Sequence, residues 1–417
     1  MILVLPQKLC FAEVLHVFYE DIGSASAFGG LCAYVKLPKS DPKIVAWHRF
    51  FPKKDFDWEA QNTHWIELPR GEENYSQKKS VFKNAFKELI KNFPDHEIVI
   101  YTSVRNFSFM TRLIAQNTQA KIRRIHLYED GFFNILTGKN RSLVENNIKS
   151  CIFDITYHIA GYEKFNLSKI FDLTNCDRIK IEDFDVYKLR KTLSDDEKEL
   201  VFSILNFDYL KLKDYKNKKM YLFTTGHVHQ DPTSSWKETP LSMLKILGKF
   251  KKESGPDVVW LYKLHPSLGI YDLTPDIRSA FPDMIEIPAS IPFEAMILAD
   301  IIPEKILLTG SSLGFWVRPD QILKYISHPF YDEAMIKYHY VTREKFIYPH
   351  IPEINPSQIT YNINGSNMVP EYTKDRYCKQ SEPYKCGSLE EISPNCIMFN
   401  WDGEETKTLC KKNEIYQ

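Results

Sequence analysis

The chain has 417 residues, 43% hydrophobic and 26% charged, a balance that excludes disordered and fibrous classes and suits two or three domains folded in water. Lys+Arg and Asp+Glu each number 54, so no global basic field exists to hold a nucleic-acid backbone. No apolar run reaches the roughly 18 residues of a membrane span, and Met1-Ile-Leu-Val-Leu-Pro6 lacks the basic flank of a signal peptide, so a cytoplasmic protein is expected. At most it works at the inner face of a membrane, with peripheral membrane contact left open.

Short apolar runs alternate with segments of helical period, the pattern of parallel sheets joined by helices. Met1–Leu5 reads as a first buried strand, followed by strands at Ile44–Trp47, Thr63–Leu68, Ile98–Thr102 and Ile122–Tyr128. Ser76–Phe93 carries a stripe of Val81, Phe82, Ala85, Phe86, Leu89 and Ile90 and reads as a helix, as does Phe107–Gln116. From about Cys151 to Lys219 the pattern becomes helical and charged, with Ser194 to Glu197 forming a capping box, and reads as a bridge. A second series then runs Lys219–Thr224 strand, Pro240–Lys252 helix, Asp257–Leu264 strand, Met284–Ile287 strand, Phe293–Ala299 helix and Ile306–Leu308 strand. After about Pro352 the periodicity fades into Pro, Asn, Ser and isolated aromatics, and no fold is assigned.

Cys10, Cys32, Cys151 and Cys176 are scattered like buried core thiols. Cys378, Cys386, Cys396 and Cys410 cluster in the tail without a CxxC pair, which argues against zinc; disulfides there would need an oxidising compartment.

Three signals fall at ends of expected strands, where open α/β sheets hold ligands. Tyr128-Glu129-Asp130-Gly131 sets an acidic pair before a turn glycine, so a carboxylate there can act as general base; Asp-Gly is also an ordinary turn. Tyr262-Lys263-Leu264-His265-Pro266 places an imidazole where it can serve a phosphate, or simply bond local backbone. Ile287-Pro-Ala-Ser-Ile291-Pro-Phe-Glu294 precedes Leu308-Thr-Gly-Ser311-Ser312, whose amides and hydroxyls suit an anion at a helix start or form a plain N-cap. No Walker lysine or GxGxxG accompanies them, so ATP and dinucleotide readings lose support.

In this order the motifs resemble the bacterial sialyltransferases grouped in glycosyltransferase family 80, over roughly residues 60–350. The resemblance implies an α/β fold of GT-B type, two Rossmann-like domains with parallel sheets facing across a cleft. The expected divisions are 1–218 for the acceptor side with its helical bridge, 219–352 for the donor side, and 353–417 for a tail. It implies an inverting transfer from CMP-sialic acid to galactose or N-acetylgalactosamine of a glycan such as lipooligosaccharide, with no metal and no cofactor. Asp130 maps onto the general base. His265 with Ser311 and Ser312 maps onto the groups that stabilise the leaving phosphate, Glu294 onto the ribose ligand, and Lys263 and Pro266 onto the cytidine pocket. The sequence departs from the family at Thr224-Thr-Gly-His-Val-His229, where an acceptor-holding Trp is usual, and at Tyr101, which stands for an acceptor-side His. His227, His229 and Tyr101 are therefore the expected acceptor contacts. Transfer from another CMP-activated sugar, such as CMP-Kdo, and a non-catalytic glycan-binding role are the alternatives.

Overall fold

The structure, a computed structural model, describes residues 13–21, 24–48, 56–69, 75–129, 151–160, 176–215, 217–225, 240–265, 272–309, 316, 321–326, 359–363, 366–371, 376–379, 385–393, 396–401 and 407–410. The first part alternates β1 (Val14–Glu20), α1 (Ser24–Tyr34), β2 (Lys43–Trp47), β3 (Thr63–Trp65), α2 (Tyr75–Leu89), β4 (Glu97–Ser103), α3 (Phe107–Asn117), β5 (Ile122–Tyr128), β6 (Ile155–Ala160) and β7 (Ile179–Phe184). Its strands form one sheet in the order β3-β2-β1-β4-β5-β6-β7, every pair parallel. Chain order reverses direction between β1 and β4, which makes that edge the switch point where such sheets open a ligand crevice.

Three helices follow: α4 (Val186–Thr192), α5 (Asp195–Leu205) and α6 (Leu210–Lys213). The expected capping box begins α5, with Ser194 accepting from the Glu197 amide and Glu197 accepting from the Ser194 amide. The second part comprises β8 (Lys219–Thr224), α7 (Pro240–Ser254), β9 (Val258–Lys263), α8 (Thr274–Ala280), β10 (Ile285–Ile287), α9 (Phe293–Leu298), β11 (Lys305–Thr309) and β12 (Ile322–Ile326). These strands run parallel in the order β10-β9-β8-β11-β12, with a second switch point between β8 and β11.

The buried core explains how the parts hold together. Leu15, Val17, Phe18, Tyr101 and Tyr128 of the first sheet belong to one contiguous cluster with Val186 and Val201 of the bridge and with Leu222, Leu261 and Ile297 of the second part. A separate cluster, including Phe223, Trp260, Tyr262, Met243 and Leu247, fills the other face of β8 and β9 beneath α7. Leu222 and Phe223 are adjacent and belong to different clusters, as the period of two along a strand requires. Polar ties cross the same seam: the Tyr187 hydroxyl donates to the Trp316 carbonyl at 2.8 Å, and Arg190 pairs with Asp300.

Several expectations change. The stretch read as a helical bridge from Cys151 contributes β6 and β7 to the first sheet: Ile155–Ala160 is a short run without charge, and Ile179–Phe184 alternates Ile179 and Ile181 with Lys180 and Glu182, as suits the edge strand. Cys151 and Cys176 are bonded to each other and are not separate core thiols; they stand just before β6 and β7 and close the crossover between them. Cys32 is a buried free thiol in α1, as expected. Beyond the second part, β13 (Ile359–Ile363) joins β12 in parallel. An antiparallel meander then follows through β14 (Ser366–Glu371), β15 (Arg376–Lys379), β16 (Lys385–Ser393), β17 (Cys396–Trp401) and β18 (Lys407–Cys410). The tail to which no fold was assigned therefore carries strands. Met1–Leu5 lies outside the described residues, and the first described strand is Val14–Glu20. No helix among the described residues is long and apolar enough to cross a membrane.

Candidate active site

Both sheets are parallel, so each gathers the carboxyl ends of its strands on one edge, and the candidate residues fall on those edges. In the first sheet β5 ends at Tyr128 and Glu129 follows. Glu129 is buried, its amide donates to the His158 carbonyl at 3.2 Å, and its carboxylate accepts from the Tyr157 hydroxyl. Glu129 of the acidic pair is thus bonded inside the sheet. Asp130, the next residue in the chain, lies outside the described residues. The Tyr128 ring beneath this strand end is pressed against α1 at Gly29, where a Cβ would stand 2.3 Å from a ring carbon; no larger residue fits without displacing the ring.

At the neighbouring switch point a buried polar cluster joins β1 to β4. Asp21, fully buried, accepts from the Tyr19 hydroxyl at 2.9 Å and from Asn106 Nδ2 at 2.8 Å. Asn106 also donates to Ser103 Oγ at 3.2 Å, while its own Oδ1, buried, has no hydrogen-bond partner among the described residues. Sequence reasoning missed both residues. The available signal was a Glu-Asp step closing an apolar run at Val14–Glu20, the same grammar as Tyr128-Glu129-Asp130.

Tyr101 takes a different place from the edge. Its ring stacks on Phe18 at 4.2 Å and on His126 at 4.7 Å, and its hydroxyl bonds His16 Nδ1 at 3.2 Å, within the sheet under α1. The row continues through His126, whose Nδ1 lies 3.0 Å from His158 Nε2, toward Glu182. Burial lowers His16 to about 4, His126 to about 3 and His158 to about 4, so all three are neutral near pH 7.

In the second sheet Lys263 ends β9 and His265 follows it, beside the end of β8. The His265 amide donates to Thr225 Oγ1 at 3.2 Å, which fixes the two strand ends together, and Thr224 Oγ1 donates to the Leu307 carbonyl across the switch point at 3.0 Å. Lys263 is buried and its Nζ donates to the carbonyls of Leu264 and Ala289. Glu294, in the first turn of α9, is also buried; Oε1 accepts from Trp316 Nε1 at 2.8 Å. Desolvation raises its carboxyl, opposed by its own amide, Trp316 and the Lys263 charge. The structure thus brings Lys263 and His265 together at one strand end, with Glu294 in electrostatic reach of Lys263. Pro266, His227, His229, Ser311 and Ser312 lie outside the described residues; His227 and His229 follow β8, and the serine pair follows β11, the strands that flank the switch point. Among the described residues, no group of three or more His, Cys, Asp or Glu is placed to hold a metal ion.

A family model described as Sialyltransferase PMO188 matches residues 92–348, more than half of the chain. The fold is similar to the GT-B domain of a sialyltransferase from Photobacterium damselae, with TM-score 0.60 and 20% identity over 84% of this chain and 99% of that one. It is similar to an alpha/beta-galactoside alpha-2,3-sialyltransferase from Photobacterium phosphoreum, with TM-score 0.60 and 17% identity over 84% and 99%. A third likeness is to the 2,6-sialyltransferase of Photobacterium sp. JT-ISH-224, solved with CMP and lactose, with TM-score 0.58 and 18% identity over 76% and 71%. These likenesses establish the GT-B fold. No curated protein sequence matches the chain.

Proposed function

We propose, from the premise that this chain belongs to the Sialyltransferase PMO188 family, that it transfers sialic acid from CMP-sialic acid to a galactose or N-acetylgalactosamine of a glycan, with inversion at the anomeric carbon. The observation that carries this reading is the arrangement at the second switch point, where β9 delivers Lys263 and His265 beside Thr225 and β11 leads toward Ser311 and Ser312. Imidazole, hydroxyl and amide donors following these strands suit the phosphate of a leaving CMP that has no metal to balance it. Glu294 accepts from the ribose hydroxyls, and Lys263 and Pro266 shape the cytidine pocket.

Asp130 takes the proton from the acceptor hydroxyl as that oxygen bonds the anomeric carbon. The bond from that carbon to the phosphate oxygen breaks, and its electron pair leaves on CMP, where His265 and the serine pair meet the growing charge. The bond of Glu129 to Tyr157 inside the sheet supports giving this role to Asp130 and not to Glu129. Asp21 and Asn106 stand at the first switch point, one strand from β5, and with His227 and His229 they are the acceptor-side candidates. Lipooligosaccharide is the acceptor class we favour.

The test offers CMP-sialic acid, and separately CMP-Kdo, with an array of galactose- and N-acetylgalactosamine-terminated glycans in excess EDTA. Sialylated product under EDTA supports the reading. Transfer only from CMP-Kdo, or activity only after magnesium or manganese is restored, overturns the donor or the metal-free mechanism respectively.

A further inference from the structure

We infer that the C-terminal meander is stapled by two disulfides, Cys378–Cys386 and Cys396–Cys410. The register places these residues directly opposite each other in antiparallel ladders: Cys378 faces Cys386 between β15 and β16, and Cys396 faces Cys410 between β17 and β18. Directly opposed residues in such a ladder have Cα atoms about 4.5–5.5 Å apart, inside the span of about 4.4–6.8 Å that a disulfide bridges. All four tail cysteines find a partner this way, and none is left over.

Strand alternation adds a second regularity. Cys386, Ser388 and Glu390 share one face of β16, and their opposites Met398 and Asn400 share it with Cys396 on β17. Both pairs therefore fall on one face. The other face receives Tyr377, Leu389, Ile397, Phe399 and Leu409. The two pairs stand at opposite ends of the meander, since Cys396 is opposite Ser393, seven residues along β16 from Cys386. That is about 23 Å at strand rise, too far for one zinc ion to gather four thiolates.

The bridges enclose residues 379–385 and 397–409, seven and thirteen residues of chain. In forming, each pair of thiols gives up two protons and two electrons to a disulfide oxidant, such as oxidised glutathione or a protein disulfide. The oxidant is reduced to two thiols through a mixed-disulfide intermediate. With Cys151–Cys176, six of the eight cysteines are then paired. Disulfides of this number persist under an oxidising poise, so the inference carries a compartment with it and departs from the cytoplasmic setting expected of the sequence.

The experiment equilibrates the purified full chain in a glutathione buffer with the oxidised form in excess, then denatures it, alkylates free thiols and maps peptides by mass spectrometry. Expected are cross-linked peptides joining Cys378 to Cys386 and Cys396 to Cys410, with Cys32 alkylated. Alkylation of the four tail cysteines, or linkage in any other pairing, overturns the proposal. A second measurement uses Cys378→Ser, which should expose Cys386 alone and leave Cys396–Cys410 intact; a new link from Cys386 to Cys396 would equally sink it.

Discussion

Trp316 Nε1 donates to Glu294 Oε1 at 2.8 Å, so the carboxylate proposed to hold the donor's ribose is itself held by an indole. The same Trp316 accepts from Tyr187 through its carbonyl and stands 6.0 Å from the Phe184 ring, so it ties the bridge to the second part. Trp316→Phe keeps an apolar ring and removes the donor. The expected result is a higher KM for CMP-sialic acid, by roughly tenfold for one charge-assisted bond of about 1.5 kcal/mol, with kcat changed less. Initial-rate kinetics decide it: an unaltered donor KM would separate Trp316 from the donor site. Glu294→Ala should raise the same KM further.

Asp130→Asn should leave CMP binding intact and slow turnover by about two to four orders of magnitude, the scale of a lost general base. Glu129→Gln disturbs a buried bond to Tyr157 and should lower thermal stability before it alters the chemical step. Calorimetric CMP titration beside single-turnover rates distinguishes the two. Turnover retained in Asp130→Asn removes it from the mechanism.

Gly29→Ala sets a methyl 2.3 Å from the Tyr128 ring. Neither the strand nor the helix can yield easily, because Tyr128 is buried and stacked on His158 at 4.6 Å. Overpacking of this kind costs about 1–3 kcal/mol, and the displaced ring lies two residues before Asp130. Denaturant midpoints should fall, and kcat should fall in the protein that remains folded; a midpoint equal to the parent's would show that the sheet repacks freely.

His16, His126 and His158 give the fold a pH limit. Their folded values lie below the ordinary 6.5 because burial disfavours the imidazolium. Below pH 6.5 the unfolded chain binds more protons, so stability is full above that pH and declines as pH falls toward about 4, by up to about 1.4 kcal/mol per unit for each histidine. The groups facing this row are Asp41, Lys43, Arg123, Arg124, Lys180 and Glu182. Urea midpoints at pH 7.5 and pH 5 test it: His126→Gln should show a shallower decline than the parent, and parallel curves would count against the assignment.

Much of the scaffold was legible because strands in parallel sheets are near-continuous apolar runs. Ile122–Tyr128 and Lys219–Thr224 coincide with the observed strands, and the helix expected from Ser76 starts at Tyr75. The strand at Val14–Glu20 escaped because His16 interrupts its apolar run and Glu20 ends it, and the buried His16 is bonded to Tyr101, 85 residues along the chain. β6 was hidden by its shortness and β7 by the charges Lys180, Glu182 and Asp183 within it, and the meander by cross-strand pairing that no local period announces. Of the site, the strand-end positions of Lys263 and His265 were readable. The switch-point pair Asp21 and Asn106 was not, since 85 residues separate them in sequence.

Val186 and Val201 lie in the same buried cluster as Leu222, Leu261 and Ile297, so the second sheet cannot be stripped from the bridging helices without wetting the underside of the first. Heat should therefore find one cooperative unit across both parallel sheets, not two that melt in turn. A backbone cut between Lys213 and Lys219 would leave two fragments with matching apolar scars, able to hold together in solution as complementing halves, and relative motion of the halves must slide along this shared seam.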